Sequence, residues 1–118
     1  MRLYWLFAAL LLSILLLNLH LYAEAHAWYW IYRWFDIPMH LLGGLTIGMF
    51  SVAVLGKFRP FLFFTVIASA AIGWEVFEYV SGITYNEPKY WVDTSHDVLN
   101  DAIGAIVAYT IARFSVWR

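Results

Sequence analysis

The chain has 118 residues, of which 64% are hydrophobic, 20% aromatic and 13% charged, with a formal net charge of −1 and no cysteine. Soluble domains carry about 25% charged residues, so this composition excludes a soluble protein with a charged surface and a disordered chain. The small net charge removes the basic footprint of a nucleic-acid binder, and the missing thiols remove disulfides, thiolate zinc sites and cysteine nucleophiles.

A helix needs about 20 apolar residues to cross the hydrocarbon core of a bilayer. The sequence offers four such stretches, which predicts an all-α, four-transmembrane-helix bundle in a single domain over 1–118. The first stretch, 3–22, is interrupted only by Ser13, Asn18 and His20. Together with Arg2 and Ala23-Glu24-Ala25 it resembles a signal peptide and its cleavage site, but the run exceeds the usual h-region, which favours an uncleaved helix. The connection 24–35 follows, with Trp28, Tyr29, Trp30, Tyr32, Trp34 and Phe35, and suits an interfacial belt or a short helix on the outer surface. The second span is 37–55, with Pro38 in its first turn, where the missing N–H costs nothing. Lys57-Phe58-Arg59-Pro60 makes a tight turn into the third span, 61–80, charged only at Glu75 and Glu78. Gly82, the turn Asn86-Glu87-Pro88-Lys89 and the interfacial aromatics Tyr85, Tyr90 and Trp91 lead to the fourth span, 93–114. Asp93 or Thr94 is its expected cap.

Lysine and arginine in short loops set orientation. Arg2, Lys57, Arg59, Arg113 and Arg118 fall on one side, Arg33 and Lys89 on the other. Five against two places both termini in the cytoplasm of a multi-pass protein of the cytoplasmic (inner) membrane, with 24–35 and the 81–92 connection outside.

With that topology the ionisable residues converge. Asp36 and His40 lie at the outer end of the second helix, Glu75 and Glu78 in the outer part of the third, and Asp93, Asp97 and Asp101 descend from the outer end of the fourth. Asn18 is near the outer end of the first. At about 100° per residue each polar stripe continues inward as small residues: Gly43 and Gly44 below His40, Ala71 and Ala68 below Glu75, Gly104 and Ala108 below Asp101. Gly44-x-x-x-Gly48 has the spacing that lets helix backbones approach closely. The predicted bundle is closed at its cytoplasmic end and opens outward into an acid-lined cup.

Asp36 and Asp93 are also acids that a helix dipole favours at an N-terminus. Glu75, Glu78, Asp97 and Asp101 have no such reading, and each costs roughly 2.5 kcal/mol or more as a charge facing lipid near the bilayer centre. Crowded carboxylates in a low dielectric need protons or a cation. His40, Glu75, Glu78 and Asp97 are therefore the expected metal ligands, with Asp36, Asp93, His96 and Asn18 in a supporting layer or second site and Glu75 or Asp101 as general base. Carboxylates with imidazole suit Zn, Fe or Mn, and carboxylates alone suit Mg or Ca. Ser95-His96-Asp97 are consecutive and cannot form a nucleophilic triad.

Asp36-x-x-x-His40 with glycines after it, Trp74-Glu75-x-x-Glu78, Asp93-Thr94-x-x-Asp97 and Gly104-Ala105 resemble the small bacterial YjdF-like membrane proteins. More distantly the pattern is similar to VanZ-like proteins, in which Asn is common where this chain has Asp101. The resemblance spans residues 36–105. It implies a polytopic inner-membrane protein with a polar cluster among its helices, and no particular reaction.

These residues point to a metal-dependent hydrolase or transferase acting on membrane lipids or lipid-linked substrates at the outer headgroup level. A cation or proton transporter using the same acids is the alternative. Residues below Asp101 are chiefly small or apolar, so a transport path would run between protomers of a homo-oligomer. A structural accessory subunit is the third reading.

Overall fold

Helices α1 (Leu3–Ala25), α2 (Trp28–Ile31), α3 (Asp36–Leu55), α4 (Pro60–Val80) and α5 (Tyr90–Ser115) follow one another along the chain in the computed structural model, which describes residues 2–83 and 88–117. No strand occurs among the described residues. Tyr85, the first half of the expected Asn86–Lys89 turn, and Arg118 of the basic count lie outside them.

The ends of the helices follow from local chemistry. Pro60 opens α4 at a position whose N–H has no helical partner. α3 stops at Gly56, whose φ of 60° is a left-handed conformation that costs glycine little. α5 begins three residues before its expected start. The N–H groups of Val92 and Asp93 already reach the Lys89 carbonyl, each at 3.0 Å, and the Lys89 N-cap makes no side-chain bond. Asp93 is thus a first-turn acid that complements the helix dipole, and neither it nor Thr94 is the cap.

The aromatic connection folds on itself. α2 and a single 3₁₀ turn, Arg33–Phe35, bring Trp28 and Tyr29 edge-on to Phe35, each at 5.3 Å between centroids. Phe35 is buried, while Trp30 and Trp34 stay exposed.

Three helical segments, Leu3–Ala25, Arg33–Leu55 and Pro60–Val80, are long and apolar enough to cross a membrane, with mean hydropathies of 2.1, 1.6 and 1.7. This is the pattern of a membrane protein. α5 is the longest helix at 26 residues, about 39 Å at 1.5 Å per residue, but its polar stripe keeps it out of that set.

α3 is the central element. It packs most extensively on α5 and also receives α1 and α4, and α4 touches α5. α1 and α4 do not pack as a pair. Small residues set the α3–α5 distance: a Cβ on Gly44 would overlap the Asp101 backbone, with Cα at 2.7 Å, and one on Gly104 would lie 2.7 Å from the Leu45 nitrogen. Toward the chain termini this seam runs into an apolar core that includes Trp5, Val52, Phe63, Ile67, Ala108 and Trp117. Arg2 ties that end together, its guanidinium donating to the carbonyls of Gly56 at 3.2 Å and Val116 at 2.6 Å. The opposite end of the same seam holds the buried His40, Glu75, Asp97 and Asp101.

Candidate metal centre

His40 sits one turn above Gly44, where α3 and α5 are closest, so its ring enters α5 between two carboxylates one turn apart. Nδ1 lies 3.2 Å from Oδ1 of Asp101. Nε2 lies 3.6 Å from Oδ1 of Asp97 and 3.5 Å from Oδ1 of Asp36, which reaches back from the preceding turn of α3. The two ring nitrogens therefore have different surroundings. In the tautomer that donates from Nδ1 to Asp101, the Nε2 lone pair faces Asp36 and Asp97. That is the arrangement of a metal-ligating histidine oriented by a carboxylate on its far nitrogen.

Ligand atoms of Asp36, His40 and Asp97 all lie within 4.8 Å of one another. Two ligands on a tetrahedral ion at about 2.1 Å are about 3.4 Å apart, close to the two Nε2–oxygen separations.

The other expected residues are placed as follows. Glu75 is buried, near enough to interact with the charges of His40, Asp101 and Asp36 and set against Thr94, and its Oε1 has no hydrogen-bond partner. Glu78 and Asp93 line the cavity described below without joining the three-residue group. His96 is exposed on α5. Asn18 is exposed and donates to the Ile14 carbonyl of its own helix at 2.7 Å. The geometry thus brings His40 and Asp97 together with Asp36, which sequence reasoning gave a supporting place, and gives Asp101 the role of holding the ring.

A cavity of about 940 Å³ opens onto this group. All four long helices contribute to it, through Leu16 and His20 of α1, Asp36 and His40 of α3, Ala70 and Glu78 of α4, and Asp93 and Asp97 of α5. Arg33 and Lys89 line it as well; the sequence reading used them only as loop charges. Tyr29 stands on its wall, its hydroxyl 2.8 Å from Nδ1 of His20. Burial, and then the negative charges of Asp36, Glu24 and Glu78, push the Tyr29 phenol up to about 12, so it stays neutral.

Neither family models nor curated proteins nor solved structures give a match to this chain.

Proposed function

We propose that this protein is a four-span membrane protein that holds one divalent transition-metal ion on Asp36, His40 and Asp97 and uses it as a hydrolase or transferase of lipid or lipid-linked substrates. The observation that carries the reading is the division of labour on His40: Nδ1 is taken by Asp101, and Nε2 faces two carboxylates at ligand-to-ligand spacing. Asp36, His40 and Asp97 would hold the ion, which when bound would supply Lewis-acid activation of water and of a phosphoryl oxygen. Glu75, with its free buried oxygen, takes the general-base role, because Asp101 is committed to His40. α5 is the fourth span, its polar stripe turned onto α3. The motif likeness to YjdF-like proteins belongs to the same proposal.

Transport of cations or protons needs a polar path to the other end of the bundle. The α3–α5 seam below Asp101 is filled by Gly44, Gly48, Gly104, Ala105 and Ala108, which disfavours a path through one chain.

The test is metal analysis of the full chain purified without chelator. One equivalent of zinc, iron or manganese is expected, lost in Asp36→Asn, His40→Ala and Asp97→Asn, with a lower melting temperature after chelation. No bound metal, together with no stabilisation by added Zn, Mn, Fe, Mg or Ca, overturns the proposal and moves the cluster to proton binding or a structural role.

A further inference from the structure

The cavity has two chemically different halves. α1 and α4 form its side walls, and they pack on α3 without packing on each other. α3 forms the back through Asp36, Met39, His40, Gly43 and Ile47, one face at helical spacing. Around His40 the lining is charged. Farther along α3 toward Ile47, the lining residues Leu16, Leu17, Ile47, Ala70 and Ala71 carry no polar side chain. His40 and Ile47 are seven residues apart, about 10 Å along the axis. The cleft between α1 and α4 therefore runs from a charged head into an apolar tail and faces sideways, between two helices apolar enough to lie in lipid.

The basic residues are distributed unevenly. Arg2, Lys57, Arg59 and Arg113 belong to the terminal end of the bundle, where Arg2 and Lys57 line a separate small cavity with Trp117. The other two described cations, Arg33 and Lys89, both line the large cavity, although they come from segments far apart in the chain. Neither has an ion-pair partner among the described residues, although acids line the same cavity. Two cations without an ion-pair partner among the described residues, a cluster of potential metal ligands and an uncharged stretch of lining match a ligand with an anionic head and a hydrocarbon tail. The volume of about 940 Å³ is at the upper end of ligand pockets, which hold about 300–1,000 Å³.

We infer that the α1–α4 cleft takes one anionic phospholipid laterally from the membrane. Its phosphate lies between Arg33 and Lys89 above His40, and an acyl chain runs along Leu16, Ile47 and Ala70. This rests on the membrane reading above and names the substrate class for the same site. Phosphate is where the rim cations and a metal on Asp36, His40 and Asp97 can act together, while a neutral diacylglycerol offers the tail without the head.

Native mass spectrometry of the full chain in detergent tests it, with dioleoyl phosphatidylglycerol, dioleoylglycerol and inorganic phosphate as probes and metal content measured on the same samples. One phosphatidylglycerol per chain is expected to be retained, in preference to dioleoylglycerol and undisplaced by inorganic phosphate. The double variant Arg33→Gln/Lys89→Gln, at exposed positions, should weaken retention about thirtyfold, at the usual strength of a basic side chain near an anionic headgroup. Ala70→Trp should block the tail and abolish retention, and both variants should keep their metal. Equal retention of phosphatidylglycerol and dioleoylglycerol, no effect of the double variant, or binding of inorganic phosphate alone overturns the inference. Metal bound without lipid preference defeats the lipid and leaves the metal centre standing. Lipid retained through Arg33 and Lys89 without metal does the reverse.

Discussion

At the scale of residues, the site turns on which nitrogen of His40 is free. The i,i+4 spacing of Asp36 and His40, and of Asp97 and Asp101, is legible in the sequence. That His40 falls between Asp97 and Asp101 is not, because it depends on the register of α3 against α5. For the same reason the sequence assigns four ligands by type and depth, and cannot separate Asp36 at 3.5 Å from Nε2 from Glu78, which stands apart on α4. Asp101→Asn tests the role of the ring-holding carboxylate. The amide oxygen still accepts from Nδ1 but without charge, so the fold should persist while metal affinity falls about 10–100-fold, the usual effect of losing such a partner. Competition with a chromogenic chelator measures it; an unchanged affinity removes Asp101 from the site. Tyr29 offers a test by titration. Its folded pKa of about 12 lies above the ordinary value of about 10. The native environment therefore favours the neutral phenol: the stability it contributes is complete below about pH 10 and is lost as pH rises toward 12. Ultraviolet titration should show one tyrosine ionising later than the exposed ones, and Tyr29→Phe should remove that last step.

At the scale of elements, hydrophobic length alone gives three of the helices nearly residue for residue. α1 and α4 are read within a few positions because their ends coincide with polar or glycine-containing turns. The start of α5 is displaced because its first turn has no side-chain cap to announce it, and Asp93 mimics one. Gly44-x-x-x-Gly48 announces a close approach but not the partner, which proves to be α5, with Gly104 as its counterpart. Three alanine substitutions separate contact from mere presence of glycine. Gly44→Ala and Gly104→Ala set a methyl group against the backbone of the facing helix, and should cost about 1–3 kcal/mol each as overpacking. Because the same seam sets the His40–Asp97 distance, both should also lower metal occupancy. Gly43→Ala places its methyl 3.8 Å from Asp101 Oδ1, an ordinary contact, and should leave the unfolding temperature unchanged. Thermal melts in detergent of the three variants decide it: equal losses in all three would show that helix flexibility, and not the α3–α5 approach, is what these glycines provide.

For the whole molecule, the two ends of the bundle differ in chemistry, and the proposed orientation rests on that difference. One end is apolar and basic: Trp5, Phe63 and Trp117 in the core, Arg113 over the Phe58 ring at 5.1 Å, and Arg2 joined to Gly56 and Val116. The N-terminus, the α3–α4 turn and the end of α5 thus share one side of the protein. The other end holds the acids, His40 and the cavity with Arg33 and Lys89. Four of the six described basic residues lie at the first end, where they sit within or beside the short connections that control insertion. Arg33 and Lys89 line the cavity at the other end. The expected topology therefore has both termini in the cytoplasm and the cavity at the outer surface of the inner membrane. A tag at the C-terminus should resist protease and impermeant label in intact spheroplasts and become accessible on lysis, and a cysteine placed at the exposed Trp30 should label from outside before lysis. The second probe matters because an inaccessible C-terminus alone also follows from a tag shielded by the bundle. The opposite pair of results would invert the protein, put the cavity at the cytoplasmic leaflet, and supply the proposed lipid from that side.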